Sequence, residues 1–464
     1  MDINIKLNRR DFVAKSVWGA TASMTLPGFL QQTLFNLDAR AQSAPSAGGD
    51  GPIMLLLEMA GGNDTLNTIV PYQNTIYNTA RSSLRLNESH GIRKLIDKNG
   101  PSITGTDEAL ALHPNLSYLD TLWKEGDLGI INGVGYPNPN LSHFTSYDYW
   151  HSAQPNSIVK NGWLGRYLDN QCDGCGATTG IYINGSPTLA FQSAKGLSPT
   201  ATFKNPAYFN WRDKAESGRE QPLDKMYRKL IGLDHPTDNG ISATDDTLAY
   251  VQRAAHSAMI STASVQTAIT EGGNLETENT WPTGNNLANN LKIIAQLIKG
   301  KSDTSIYYAR QGGYDTHNNQ VDVDANIGPL GGRHFDLLNQ LNGGLSAFID
   351  EMKAQGNWNR VVILTFSEFG RKVIQNGSSG TDHGAAESLF VMGGQVKGNE
   401  YYGLYPDLAA DARVKRNSMD FNVDFRTVYR TLLQNWMGVP ASAMPEIFPS
   451  QPVNFDPLTF IQGL

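Results

Sequence analysis

Residues 361–394 read VVILTFSEFGRKVIQNGSSGTDHGAAESLFVMGG. The opening run, 361–365, is apolar and β-branched, the pattern of a buried strand. It delivers Ser367, Glu368 and Arg371 to its C-terminal end. A Gly/Ser-rich loop then presents Asp382 and His383, and the chain re-enters an apolar strand at Leu389. In open parallel sheets, ligands and metals collect beyond the carboxyl ends of the strands. A carboxylate at one such end and an Asp-His pair at another therefore point to a metal or acid–base site.

The same design occurs twice upstream. Residues 53–59 (IMLLLEM) break at Gly61-Gly62-Asn63-Asp64, and residues 305–309 (SIYYA) break at Gly312-Gly313-Tyr314-Asp315-Thr316-His317. Glycines let the backbone turn sharply and leave room for a ligand. Aspartate, glutamate and neutral imidazole are the ligand set of zinc, manganese and similar divalent ions. Each acid also has a local reading. Asp64 and Asp315 follow glycines, where an aspartate closes an Asx turn. Asp382, beside His383, reads either as a ligand or as a partner that orients an imidazole.

The remaining apolar runs extend the pattern. Strand-like and helical stretches alternate from 52 to about 169, with 128–134 (LGIINGV) as a further strand. Alternation resumes near 290, with a helical stripe at 291–298, an amphipathic helix at 335–352 and a last helix at 427–436. This order predicts an α/β fold with a mostly parallel sheet and helices on both faces. Between them, 216–231 and 245–271 are polar and helix-compatible, with Tyr250, Ala254 and Met259 at helical spacing. Residues 171–290 are therefore expected to form a mostly helical insertion over the sheet.

The N-terminus has the features of an export signal. Asn8-Arg9-Arg10-Asp11-Phe12 is a twin-arginine motif, a modestly apolar stretch spans 17–30, and Ala39-Arg40-Ala41 offers a small-x-small cleavage site. The expected division is a signal peptide over 1–41, a flexible linker over 42–51 and one domain over 52–464. The leader's apolar stretch is too short for a membrane span. The expectation is a periplasmic or extracellular protein without a membrane span, exported by the twin-arginine translocase. A net charge of -7 and a pI near 5.7 count against nucleic acid as a partner, which would require a basic face. The chain has two cysteines, Cys172 and Cys175. In an exported protein they are expected to form a local disulfide, closing a loop too short to add much stability.

Seven stretches together resemble the DUF1501 family, a group of exported bacterial proteins related to the alkaline phosphatase and sulfatase superfamily. They are GGNDTLNTIVPY (61–72), LSHFTSYDYWHSA (141–153), GWLGRYLD (162–169), GGYDTHNNQ (312–320), TFSEFGR (365–371), GTDHG (380–384) and DFRTVYRTLL (424–433). The resemblance implies an alkaline-phosphatase-like sheet. Position by position, it makes Asp64 the first-strand metal ligand, Asp315 and His317 the middle pair, Glu368 the strand-end ligand and His383 the last histidine. The chain departs from the wider superfamily in carrying Ser367-Glu368 where relatives carry Asp-His. That departure implies a more oxygen-rich site, suited to Mn, Mg or Ca as well as Zn, with one or two ions.

Ser142 lies just ahead of the expected helix at 145–152 and reads equally as a nucleophile or as a helix N-cap. The neighbouring His143 adds either a ligand or a hydrogen bond. Arg371 reads either as a fork for an anionic substrate or as a structural partner of a carboxylate. His90, His113, His151, His235, His256 and His334 lack companions and read as surface or packing residues. The functional expectation is an exported metal-dependent hydrolase of phosphate or sulfate esters. The alternative is a non-catalytic exported protein that binds a polymer or surface through the same fold with a degraded site.

Overall fold

The computed structural model describes residues 49–96, 109–171, 175, 178–195, 199–209, 246–322, 327–414, 417–452 and 454–462. The twin-arginine leader and the helix expected at 216–231 lie outside the described residues. Cys175 is disulfide-bonded, and the chain's other cysteine, Cys172, also lies outside them.

Fourteen strands are described: β1 Ile53–Ala60, β2 Ile69–Val70, β3 Arg93–Lys94, β4 Ala111–Leu112, β5 Leu128–Gly135, β6 Gly180–Ile183, β7 Thr200–Phe203, β8 Ile306–Gly312, β9 Val361–Phe366, β10 Arg371–Gln375, β11 Thr381–His383, β12 Glu387–Gly393, β13 Glu400–Tyr402 and β14 Val423–Asp424. Nine of them form the central sheet, ordered β13-β5-β12-β9-β1-β8-β6-β7, with β14 paired to β5. Every pairing in this sheet is parallel except those of β12, which runs antiparallel to both β5 and β9. β10 and β11 form an antiparallel hairpin, and β2, β4 and β3 form a small separate sheet.

The continuous apolar runs follow from burial on both faces. In β1, Leu55, Leu57 and Met59 enter one core while Met54 and Leu56 enter the other. In β9, Val361 and Ile363 side with the first core, and Val362, Leu364 and Phe366 with the second. The first core is covered by helices Ser117–Glu125, Asn286–Lys299 and Arg333–Ala354, through residues such as Leu119, Leu291 and Leu345. The second is covered by His143–Ser152, Trp163–Gln171 and Phe425–Thr431, through Trp150, Trp163 and Phe425. Each fully buried side chain of this kind contributes about 1.5–3 kcal/mol, so the sheet centre is the rigid part on which strand-end residues are mounted.

Residues 171–290 contain the helix Asp246–Gly272, as the spacing predicts, but also β6 and β7, which extend the sheet beyond β8. Those strands are four residues each, too short for a clear alternating pattern. The stretch that reads as a Gly/Ser loop around Asp382 and His383 is in fact the β10–β11 hairpin. Among the described residues, no helix is long and apolar enough to cross a membrane.

Candidate metal centre

The carboxyl ends of β1, β8 and β9 lie side by side, and the β10–β11 hairpin and the helix His143–Ser152 close over them. After β1 the chain turns at Gly61, whose φ of +124° favours glycine, and a Cβ there would overlap the amide of Asp315. Close approach at this glycine lets the end of β1 touch the segment carrying Asp315 and His317. The hairpin pairs Arg371 with His383 across its two strands, aiming both at that segment.

Three imidazoles converge on Asp315. Its Oδ1 lies 3.1 Å from His383 Nε2 and 3.2 Å from His317 Nε2, and its Oδ2 lies 3.4 Å from His143 Nε2. The Nε2 atoms of His317 and His383 are 2.9 Å apart. Each ring is held through its other nitrogen. His383 Nδ1 donates to the carbonyl of Leu141 at 2.8 Å, which fixes the tautomer because a carbonyl can only accept. His143 Nδ1 bonds Glu368 Oε1 at 2.6 Å, and His317 Nδ1 faces Asp382 Oδ1 at 3.3 Å. In the neutral rings this arrangement leaves three Nε2 lone pairs facing a carboxylate. Acceptors crowded this closely repel one another unless a cation lies among them.

The donor set fits a divalent ion. The Asp315 Oδ1, His317 Nε2 and His383 Nε2 triangle has edges of 2.9, 3.1 and 3.2 Å. A tetrahedral site with ligand bonds of about 2.0 Å needs edges of about 3.3 Å. The candidate ligand atoms of His143, Asp315 and His383 also lie within 4.8 Å of one another. Three imidazoles and one carboxylate make the cluster richer in nitrogen than the sequence implies, and closer to the preferences of zinc than of magnesium or calcium.

The electrostatics agree with this geometry. Burial acts to raise the Asp315 pKa, but the hydrogen bond from Arg371 and its positive charge bring it down to about 2. The hydrogen bond to Glu368 raises that of His143, whereas partial burial lowers that of His383. The hydrogen bond from Lys372 leads in lowering Asp382 to about 2. Asp315 and Asp382 therefore stay ionised across the neutral range.

Of the residues expected at the site, Asp64 stands apart, and Glu368, Asp382 and Arg371 touch the cluster from behind its members. Asp64 is buried and ion-paired with Arg81 at 2.5 Å, with Gln320 donating to the same oxygen. It does not join the imidazoles. Glu368 is also fully buried. Its two oxygens accept the Gly61 N–H, and it bonds Ser367 Oγ and His143, so it holds a ring and does not itself face the cluster. Asp382 sits behind His317 and pairs with Lys372 at 2.9 Å. Arg371 is not presented as a substrate fork. It is buried, donates to the carbonyls of Gly61, Gly62, Tyr314 and Thr381, and grips Asp315 at 2.9 Å.

Ser142 occupies the N-cap position of helix His143–Ser152, yet its side chain makes no capping hydrogen bond. It is exposed, between Leu141, whose carbonyl holds His383, and His143. His143, which the sequence leaves open as a ligand or a hydrogen-bond partner, turns its Nε2 toward Asp315 and bonds Glu368 through Nδ1. Its signal is its place beside Ser142, one residue inside a helix that the fold lays across the ends of β1 and β9.

A family model described as "Protein of unknown function (DUF1501)" matches residues 130–439, well over half of the chain. No curated protein matches the sequence. Among solved structures, the chain is similar to the lipoteichoic acid synthase LtaP from Listeria monocytogenes, at 10% identity over 89% of this chain and 78% of that one, with a TM-score of 0.33. It is similar to a protein in the alkaline phosphatase superfamily from Vibrio parahaemolyticus, at 10% identity over 93% and 79%, with a TM-score of 0.33. It is also similar to the PsFucS1 sulfatase from Pseudoalteromonas sp., at 12% identity over 93% and 74%, with a TM-score of 0.35. Similarity at this level does not carry a substrate over to this chain.

Proposed function

The chain belongs to the DUF1501 family, and we propose that it is an exported, metal-dependent hydrolase of phosphate or sulfate esters. The observation that carries this reading is the set of three Nε2 atoms drawn together on Asp315, each ring anchored through Nδ1. His143, His317, His383 and Asp315 are the proposed ligands. With Asp64 paired to Arg81 and Glu368 committed to His143, the donors suffice for one ion, and zinc is the first choice. A divalent ion there supplies Lewis-acid polarisation of an ester oxygen.

The remaining residues position that set. Glu368 and Asp382 fix the rings of His143 and His317. Arg371 orients Asp315 and keeps it ionised. Ser142, its hydroxyl not engaged in capping, is the proposed nucleophile, and the amino end of its helix favours the charge of an anionic ester. Export through the twin-arginine route rests on Arg9-Arg10 and the Ala39-x-Ala41 pattern.

The test is turnover of chromogenic phosphate, sulfate and acetate esters by the mature protein, with His317→Ala and His383→Ala alongside. The reading expects phosphate or sulfate hydrolysis in the parent, stopped by chelator and by either substitution. The rival reading, a non-catalytic binding protein, draws support from Asp64 and Arg371, both engaged in internal pairing. Purified protein that is metal-free and inert to all three esters would favour the rival.

A further inference from the structure

The sheet edge that carries the candidate centre continues sideways into a groove of about 1040 Å³. Asn184, Lys204 and Arg310 line it from the carboxyl-end regions of β6, β7 and β8. Asn286, Asn289 and Asn290 line it from the first turns of helix Asn286–Lys299. A groove at the carboxyl ends of neighbouring parallel strands is where an open α/β sheet places ligands.

Arg310 joins the groove to the centre. Its Nη2 donates to Tyr147 Oη at 2.8 Å, and its guanidinium lies 5.0 Å from the centroid of that ring. The Tyr147 ring in turn stacks on His143, with centroids 6.3 Å apart. On its other side Arg310 Nε lies 3.3 Å from Glu58 Oε1, a buried oxygen with no hydrogen-bond partner among the described residues. The Glu58 charge and Tyr147 thus hold the guanidinium in place while 39% of the side chain stays exposed. Nη1 makes no hydrogen bond among the described residues, so it is available to a ligand. Arg371 has no such freedom, being fully buried.

The groove's chemistry specifies what would bind. Arg310 and the exposed Lys204 supply positive charge. The side-chain amides of Asn286, Asn289 and Asn290 both donate and accept, which suits hydroxyl groups. We propose that this groove is a subsite for a hydroxyl-rich anion, a sugar phosphate or sugar sulfate, forming the part of the substrate beyond the reacting ester. The proposal rests on the ester-hydrolase reading, because it makes the groove the holder of the leaving portion. Binding energy gathered there would be available for orientation at the reacting bond.

Calorimetric titration tests it with glucose 6-phosphate and glucose 6-sulfate, using glucose and inorganic phosphate as controls. The proteins are the parent, His383→Ala, Arg310→Met and Asn289→Leu. The parent should bind at least one of the two sugar anions more tightly than either control, and His383→Ala should bind it equally well. Arg310→Met should weaken it about 10–100-fold, the cost of one charge-assisted hydrogen bond. Asn289→Leu, at an exposed helix position, should weaken it with the melting temperature unchanged, so the result survives any instability of Arg310→Met. Which anion binds separates phosphate from sulfate. The subsite is refuted if the parent binds neither, if inorganic phosphate binds as tightly, or if both groove variants bind like the parent. Binding lost in His383→Ala refutes it too, by placing the anion at the centre, while leaving the ester-hydrolase reading intact.

Discussion

Glu368 Oε1 lies 2.6 Å from His143 Nδ1, while both of its oxygens accept the backbone N–H of Gly61 at 3.0 and 3.1 Å. A carboxylate at the end of β9 is thereby clamped to the end of β1, and the imidazole it holds turns its Nε2 toward Asp315. Burial acts to raise the Glu368 pKa, but the His143 hydrogen bond and the local N–H groups bring it below the usual range. The glutamate is an ionised strut between two strands and a helix.

Glu368→Gln should keep the fold and weaken metal binding about 10–100-fold, the usual effect of losing a partner behind a ligating histidine. Competition against a graded chelator measures this. Metal affinity equal to the parent's would show that the strut does not reach the ion.

Asp64→Asn should act on stability and leave metal content alone. Removing one partner of a buried pair costs about 3–5 kcal/mol, and Asp64 and Arg81 are both buried. Burial acts to raise the Asp64 pKa, yet Arg81 holds the folded value below its ordinary one. The stabilisation is therefore fully present above the unfolded value of about 3.9 and is lost as pH falls through the folded value. Denaturant melts of parent and variant should differ at pH 7 and converge in acid. Loss of the metal from folded Asp64→Asn would return Asp64 to the ligand set.

Glu387→Gln should stabilise the protein at alkaline pH. Glu387 is buried, its Oε1 accepts the Ser367 N–H at 2.9 Å, and burial with the nearby Glu368 charge pushes its pKa well above normal. Between the unfolded value of about 4.3 and the raised folded value, the native state binds more protons, so stability falls as pH rises. Glutamine keeps the acceptor without the charge. The variant's melting temperature should exceed the parent's at pH 8, with the gap closing in acid. A lower melting temperature at pH 8 contradicts a neutral Glu387.

Ser142→Ala should change stability by no more than about 0.5 kcal/mol, as for a surface change away from special features, because the hydroxyl makes no capping bond. It should abolish ester turnover and leave the metal bound. Turnover at the parent rate would remove Ser142 as the nucleophile.

The long apolar runs were legible because burial on both faces leaves a continuous signal. The strand read at 53–59 is Ile53–Ala60, and that at 361–365 is Val361–Phe366. The stripe at 291–298 lies within helix Asn286–Lys299. The four-residue strands β6 and β7 carry too few side chains for a pattern, and the antiparallel run of β12 is set by its neighbours, which sequence spacing does not report. At the centre, Asp315, His317 and His383 were legible as strand-end and pre-strand groups, and the structure brings them together. The partners of Asp64 and Glu368 were not. For Arg371 the sequence left a substrate fork and a carboxylate partner both open, the second matching its grip on Asp315. Each role is decided by a partner far along the fold: Arg81 and Gln320 for Asp64, the Gly61 N–H for Glu368, and four carbonyls for Arg371.

Anomalous diffraction at the zinc edge, from crystals of the mature protein grown with zinc supplied, tests the central claim most directly. The account predicts one peak per chain, about 2.0–2.2 Å from the Nε2 atoms of His143, His317 and His383 and from an oxygen of Asp315. A peak at Asp64 or Glu368, or none at all, would contradict it.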